Sequence, residues 1–185
     1  DLGYQLVFVG RERMPPEFRR FNSANYAESA TASFKNDIRI FNMAEVAIIG
    51  ASGLALMAEV LKEMPYLYLN SWHLGMPLFS RYCISVPTLV QDSSGRLLTF
   101  AQQIELYESL PDPGPEIFPQ GRYRARNATS EEILAATREM VTLGEEYRAR
   151  TALQENYRRA DGGRLLSQAE GRCSEYFLQQ HRDLL

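Results

Sequence analysis

The sequence predicts an α/β fold, a parallel sheet with helices on its faces. Strand-like apolar runs at 4–9, 46–49 and 66–69 alternate with segments of helical pattern at 36–44 and 54–64. Parallel strands need a crossover connection, and a helix usually supplies it, so this alternation favours βαβ units. The unit around residue 50 is the clearest, because its β-branched strand runs through a turn of small residues directly into a helix.

That turn is the first candidate site. The segment Val46-Ala47-Ile48-Ile49-Gly50-Ala51-Ser52-Gly53 ends a buried strand, and Leu54 begins the next helix. A helix N-terminus offers free backbone N–H groups and a positive dipole end, which suit a phosphate. The same residues also fit a structural role, since the glycines permit a tight turn and Ser52 can cap the helix. The turn is neither a P-loop nor a G-x-G-x-x-G fingerprint.

Later elements follow from capping and turn signals. Residues 17–21 fit a short helix or a second strand, and a helix begins at 98–100 and runs through Tyr107. The segment from Pro111 to Pro119 is a Pro-rich connector.

The C-terminal part is predicted to be mainly helical. Thr129-Ser130-Glu131-Glu132 has the spacing of a capping box, and it opens a long helix that ends at Gly162-Gly163. A last helix starts near Ser174. We therefore expect a nucleotide-binding core at 1–110 with a connector and packed helices at 111–185, one domain overall and a piece of a longer protein.

Composition excludes several classes of function. The net charge of −3 argues against sequence-independent nucleic-acid binding. Cys83 and Cys173 show no metal-ligand spacing with the histidines, which indicates a reducing, cytoplasmic location and no zinc site. The sequence has neither a signal-peptide pattern nor an apolar run long enough to cross a bilayer, so any membrane contact is expected to be peripheral.

Other candidate ligand contacts follow predicted strands, where ligands of open α/β sheets bind. Arg11 and Arg13 could reach a phosphate or simply be solvated. Asn70 could contact a ligand or cap its own loop. Trp72 and His73 could hold a flat base, or Trp72 could pack at the core edge with His73 in solvent.

Read together, these segments resemble a family of bacterial GT-B-type glycosyltransferases and, more distantly, the donor-binding halves of fucosyltransferases and heptosyltransferases. The resemblance covers most of the chain through short segments in order. These segments are 4–10, 37–41, 47–53, 65–70 with Trp72, 95–100, 129–133 and 174–185.

The resemblance implies a Rossmann-like domain that binds a nucleotide-sugar without a metal or other cofactor. It implies that Gly50, Ala51, Ser52, Gly53 and Leu54 contact the donor diphosphate through backbone N–H groups and the Ser52 hydroxyl. Glu59 lies close to where retaining enzymes of this type place an acid on the donor ribose, although it also fits a solvated helix face. The implied partners are the nucleotide-sugar and a glycan acceptor.

The chain also departs from the family pattern. The acceptor site and the catalytic base are expected in an N-terminal half outside this chain, and the catalytic residues are unknown. Thr88 stands where a lysine is expected after the Val86-Pro87 pair. A non-catalytic Rossmann-like module with oligomer or partner contacts is therefore the alternative hypothesis, whereas a serine hydrolase is disfavoured because no G-x-S-x-G elbow is present.

Overall fold

The computed structural model describes residues 3–10, 14–50, 64–71, 80–110, 121–142, 151–160, 162–163, 166 and 170–185. The chain forms two compact units, Asp1–Glu45 and Val46–Leu185. The helix predicted at 54–64 falls almost entirely outside the described residues, as does the connector predicted at 111–119.

The first unit contains a short parallel strand pair and one α-helix. Strand β1 (Leu6–Phe8) pairs in parallel with β2 (Ser23–Asn25), with Leu6 opposite Ser23. Helix α1 (Phe34–Met43) begins after Ser33, whose hydroxyl accepts a hydrogen bond from the Asn36 N–H. This cap explains why the helix predicted at 36–44 forms where it does. Residues Pro16–Arg20, for which the sequence left helix or strand open, form a 3-10 helix.

The second unit contains the main sheet and a hairpin. Its strands are β3 (Ala47–Ile49), β4 (Tyr66–Ser71), β5 (Cys83–Pro87), β6 (Leu89–Asp92), β7 (Tyr123–Arg126) and β8 (Arg172–Cys173). Four of them form a parallel sheet in the order β3-β4-β5-β8, and β6 pairs with β7 in antiparallel fashion. The predicted α/β class with a Rossmann-like parallel sheet is confirmed. The strand at Leu6–Phe8, however, pairs with β2 and not with this sheet.

The helices of the second unit are α2 (Phe100–Glu108), α3 (Ser130–Thr142), α4 (Ala152–Arg159) and α5 (Glu175–Gln180). A 3-10 turn, Arg182–Leu184, follows α5. The predicted starts of α2, α3 and α5 are confirmed. The single long helix expected from Ser130 to Gly162 is wrong, because Thr151 has extended backbone and its hydroxyl accepts a hydrogen bond from the Gln154 N–H, which starts a new helix.

A continuous apolar core joins the sheet to these helices. The central strands contribute Leu67, Ile84 and Val86, each with no exposed surface. Helices α2 and α4 meet through Phe100 and Tyr157, whose rings pack edge to face with centroids 5.1 Å apart. Burial of apolar area is the main source of folding free energy, so these contacts hold the helices against the sheet.

Candidate functional site

A cavity of about 430 Å³ lies at the carboxyl ends of β3, β4 and β5. Ligands of open parallel sheets bind at this edge. Three lining side chains are apolar and three are polar but uncharged, and a glycine completes the described lining. The residues are Ile48, Ile49, Gly50, Leu69, Asn70, Thr88 and Asn127.

Gly50 follows β3 directly and contributes open space to the cavity. A methyl group added at Gly50 would have no heavy atom of the described residues within 4 Å, and its backbone does not require glycine. Gly50 is therefore a useful position for a substitution that blocks the cavity.

Asn70 lies where the pairing of β4 with β5 becomes irregular. The register shifts between Leu69 and Ser71, and Asn70 has a φ of 54°, in the left-handed region that asparagine tolerates better than most residues. Its Oδ1 atom accepts a hydrogen bond of 2.9 Å from the backbone N–H of Ala128. Because Oδ1 must face that donor, the orientation of the carboxamide is fixed and its Nδ2 group remains as a hydrogen-bond donor.

Thr88 and Asn127 are brought together by strand pairing. Thr88 lies between β5 and β6, is 1% exposed, and donates its backbone N–H to the carbonyl of Ser71. The antiparallel pairing of β6 with β7 sets Leu89 opposite Arg126, so the next pair outward is Thr88 and Asn127. This register places Asn127 beside Thr88, at the carboxyl end of β5.

Residues 126–129, which we call the β7–α3 connection, are held by a buried carboxylate. Glu132 is 3% exposed, and its Oε2 atom accepts a 2.7 Å hydrogen bond from the Thr129 N–H. Its Oε1 atom accepts a 3.0 Å bond from Arg126 and lies 2.7 Å from Nε2 of His181. The Thr129 hydroxyl accepts in turn from the Glu132 N–H, which completes the predicted capping box.

The protonation of this cluster follows from its contacts. Burial opposes ionisation of Glu132, but the hydrogen bonds from Thr129 and His181 and the charge of Arg126 outweigh it and hold the pKa of Glu132 below its ordinary value. A carboxylate oxygen can only accept, so Nε2 of His181 carries the hydrogen in the 2.7 Å contact. The cluster therefore ties β7, the start of α3 and the end of α5 together.

A second carboxylate, the partly buried Glu139, occupies the N-terminus of α5. Its oxygens accept hydrogen bonds of 2.9 Å from the Ser174 hydroxyl and from the N–H groups of Glu175 and Tyr176. These donors would otherwise attract an anion, so this helix end is already satisfied within the chain.

The two cysteines are buried and free, in adjacent strands β5 and β8. Burial is the main cause that raises the pKa of Cys173 far above its ordinary value, and nearby Glu139 adds to it. A thiol kept in its neutral form is a poor nucleophile, so Cys173 is a core residue.

The structure brings two of the predicted site residues, Gly50 and Asn70, to one cavity. The cavity is also lined by Asn127 and Thr88. Asn127 was not predicted from the sequence, and Thr88 was noted only because the family resemblance predicts a lysine at that position. The other predicted positions lie outside the described residues and stay predictions. They are Arg11, Arg13, Ala51, Ser52, Gly53, Leu54, Glu59, Trp72 and His73.

In the described parts of the chain, no three or more His, Cys, Asp or Glu side chains are grouped so that they could hold a metal ion. The helices that the structure describes include none with the length and apolar character needed to span a bilayer.

The second unit is a Rossmann-like α/β domain with a cavity at the carboxyl edge of its parallel sheet. Comparison of the chain with protein-family models, with curated proteins and with solved structures finds no match.

Proposed function

We propose that this chain is the donor-binding domain of a GT-B-type glycosyltransferase, which transfers a sugar from a nucleotide-sugar to a bacterial surface glycan in the cytoplasm. The observation that carries the proposal is the cavity at the ends of three adjacent parallel strands, lined in part by Gly50. Its volume of about 430 Å³ lies within the range of roughly 300–1,000 Å³ typical of small-molecule sites.

In this proposal, the turn that begins at Gly50 holds the donor diphosphate. Backbone N–H groups there would stabilise the negative charge that develops on the leaving group as the glycosidic bond breaks. Ile48, Ile49 and Leu69 give the cavity an apolar part of its lining, against which we expect a ring of the donor to pack. The acceptor-binding site and the catalytic base would be supplied by another domain. We therefore expect this chain to bind a nucleotide-sugar donor without catalysing sugar transfer.

Isothermal titration against UDP, GDP, CMP and ADP, first without metal and then with magnesium, tests the proposal. We expect selective binding of one nucleotide. Gly50→Val should weaken this binding at least tenfold, because it adds a branched side chain at the cavity wall, where an added Cβ atom meets no heavy atom of the described residues. Gly50→Ala should have a smaller effect, and Gly53→Val should also weaken binding, because its side chain would obstruct the predicted turn.

Equal affinity for wild type and Gly50→Val, or no binding to any of the four nucleotides, would contradict the proposal. The latter result would favour the alternative, a non-catalytic module that keeps the Rossmann-like core. One observation favours that alternative now: Thr88 occupies the cavity where the family resemblance leads us to expect a lysine, and so supplies no charge for a diphosphate.

A further inference from the structure

The β7–α3 connection forms one side of the cavity and is fixed at several points. The N–H of Ala128 is bound by Asn70, the N–H of Thr129 by Glu132, and the guanidinium of Arg126 by the same carboxylate. Asn127 lies between these anchored residues. Its backbone position is therefore set by contacts on both sides, although the residue itself is exposed.

The side chain of Asn127 is free to bind something else. Among the described residues, the structure gives its carboxamide no hydrogen-bond partner, and the residue lines the cavity. The exposed position means that no packing requirement explains an asparagine here. A carboxamide presented at a cavity wall by a rigid connection is a usual way to orient a small ligand.

The chemistry of the cavity wall defines the ligand group that Asn127 would take. The other polar residues of the described lining are Asn70, whose Nδ2 group remains a donor, and Thr88, and the described lining has no charged side chain. Neutral donors and acceptors of this kind match hydroxyl and carbonyl oxygens. A phosphate would instead call for cationic groups or several converging N–H groups.

We infer that Asn127 binds an uncharged, oxygen-bearing group of the ligand, a hydroxyl or carbonyl of its ring portion, and that Glu132 positions Asn127 by holding the β7–α3 connection. The inference rests on the proposed function, because it takes the cavity as the nucleotide-sugar site. It assigns the ring portion of the donor, and not its diphosphate, to this side of the cavity.

The test compares Asn127→Ala with Asn156→Ala in the complete chain. Asn156 is an exposed asparagine of the same unit, in α4, and it does not line the cavity. The probes are whichever of UDP, GDP, CMP and ADP binds best, its nucleoside, a matching nucleotide-sugar, and inorganic pyrophosphate. Asn127→Ala should weaken nucleotide-sugar binding about tenfold and leave pyrophosphate affinity unchanged, whereas Asn156→Ala should change neither.

The probes also distinguish the two sources of the oxygen. A loss with the nucleotide and the nucleoside places the group on the base or ribose. A loss confined to the nucleotide-sugar places it on the sugar. Equal affinities for Asn127→Ala and Asn156→Ala with every probe, or a parallel loss of pyrophosphate affinity, would overturn the inference while leaving the proposed function intact. Failure of wild type to bind any probe would overturn both.

The positioning role of Glu132 is tested by a double-mutant cycle. Glu132→Gln keeps an oxygen for the Thr129 N–H but removes the charge that engages Arg126 and His181. If Glu132 acts through Asn127, Glu132→Gln should weaken nucleotide-sugar binding in an otherwise wild-type protein and have little further effect when added to Asn127→Ala. His181→Gln, which breaks the contact from the other side, should behave in the same way.

Glu131→Gln is the matched control for the cycle, because it removes an equal charge one residue away without touching the connection. It should leave affinity unchanged. If the losses of binding free energy in Glu132→Gln and Asn127→Ala are additive in the double variant, Glu132 does not act through Asn127.

Discussion

Asn70 combines an unusual backbone conformation with a side-chain bond that few residues could supply. Its φ of 54° is costly for most side chains, and its Oδ1 atom satisfies the N–H of Ala128. Both features are needed at the point where β4 shifts register against β5. The two contributions can be separated by substitution.

Asn70→Gly should keep the backbone conformation and lose the hydrogen bond, at a cost of about 1 kcal/mol. Asn70→Ala loses the bond and adds left-handed strain, so it should cost about 1–2 kcal/mol more than glycine. Urea unfolding of the two variants measures the difference. Equal stabilities would mean that the left-handed conformation is not retained in solution.

Gly171 is a position where close packing, and not backbone conformation, requires glycine. A Cβ atom there would lie 2.8 Å from the carbonyl oxygen of Ser80 and 3.1 Å from the Cβ and carbonyl oxygen of Cys83. Two of these three atoms belong to the backbone, so they cannot move aside as a flexible side chain could. Gly171 directly precedes β8, and its lack of a side chain lets β8 approach β5 closely enough to pair with it.

We expect Gly171→Ala to destabilise the protein by about 1–3 kcal/mol through overpacking. Chemical denaturation followed by circular dichroism measures this. Gly50→Ala is the matched control, because a methyl group there has no heavy atom of the described residues within 4 Å, and it should change the stability by less than about 0.5 kcal/mol. A well-folded Gly171→Ala protein with wild-type stability would show that β8 can move away from Ser80.

At the scale of elements, the sequence predicted best what is local. A capping box joins residues three apart, and the box predicted at Thr129 forms with both hydrogen bonds in place. The helix start predicted at 98–100 is confirmed, and there Thr99 forms a capping box that was not predicted. The strand predicted at 66–69 from its apolar run forms as Tyr66–Ser71. The long C-terminal helix was not correct, since helical spacing alone cannot reveal that Thr151 leaves the helix to cap another.

Non-local pairing explains most of what the sequence could not provide. Strand β8 has two residues and exists because it pairs with β5, some 90 positions earlier in the chain. The residues of the cavity also differ in whether a local pattern or a non-local pairing places them there. Gly50 and Asn70 were predicted because they lie at the ends of strand-like runs, whereas Asn127 reaches the cavity through the pairing of β6 with β7. No local pattern around position 127 indicates that neighbour.

The Glu132 cluster makes the junction of β7, α3 and α5 sensitive to acid. The folded pKa of Glu132 lies below its ordinary value of 4.5. A group of this kind contributes stability that is fully present above its unfolded pKa, and that is lost as the pH falls through the folded pKa. The stabilising window therefore lies above 4.5 and closes below it.

We expect Glu132→Gln to be less stable than wild type near about pH 7, with a difference that shrinks toward about pH 3 as the wild-type carboxylate is protonated. Urea unfolding across that range checks the trend. Glu131→Gln, an exposed neighbour in the same turn, should show little pH-dependent difference from wild type. A Glu132→Gln deficit that stays constant with pH would mean that packing, and not the charge, holds the cluster.

At the scale of the molecule, buried apolar side chains are unevenly divided between the two units. Among the described residues, two clusters of buried apolar side chains pack the sheet, the hairpin and helices α2 to α5. All of their residues belong to Val46–Leu185. Within Asp1–Glu45, the buried apolar side chains among the described residues are Met14 and Phe41. Short chains with so little buried apolar surface rarely fold alone, since surface outweighs core at that size.

We therefore expect a chain of residues 46–185 to fold cooperatively by itself and to bind the same nucleotide as the complete chain, because every described residue of the cavity lies within it. A peptide of residues 1–45 should be largely unfolded in water, since its strand pair and single helix bury too little to offset the conformational entropy of ordering them. Circular dichroism, thermal unfolding and nucleotide titration of the two pieces check both expectations. Failure of 46–185 to unfold cooperatively would mean that its core depends on residues 1–45, and loss of nucleotide affinity in a well-folded 46–185 would place part of the ligand site in the first unit.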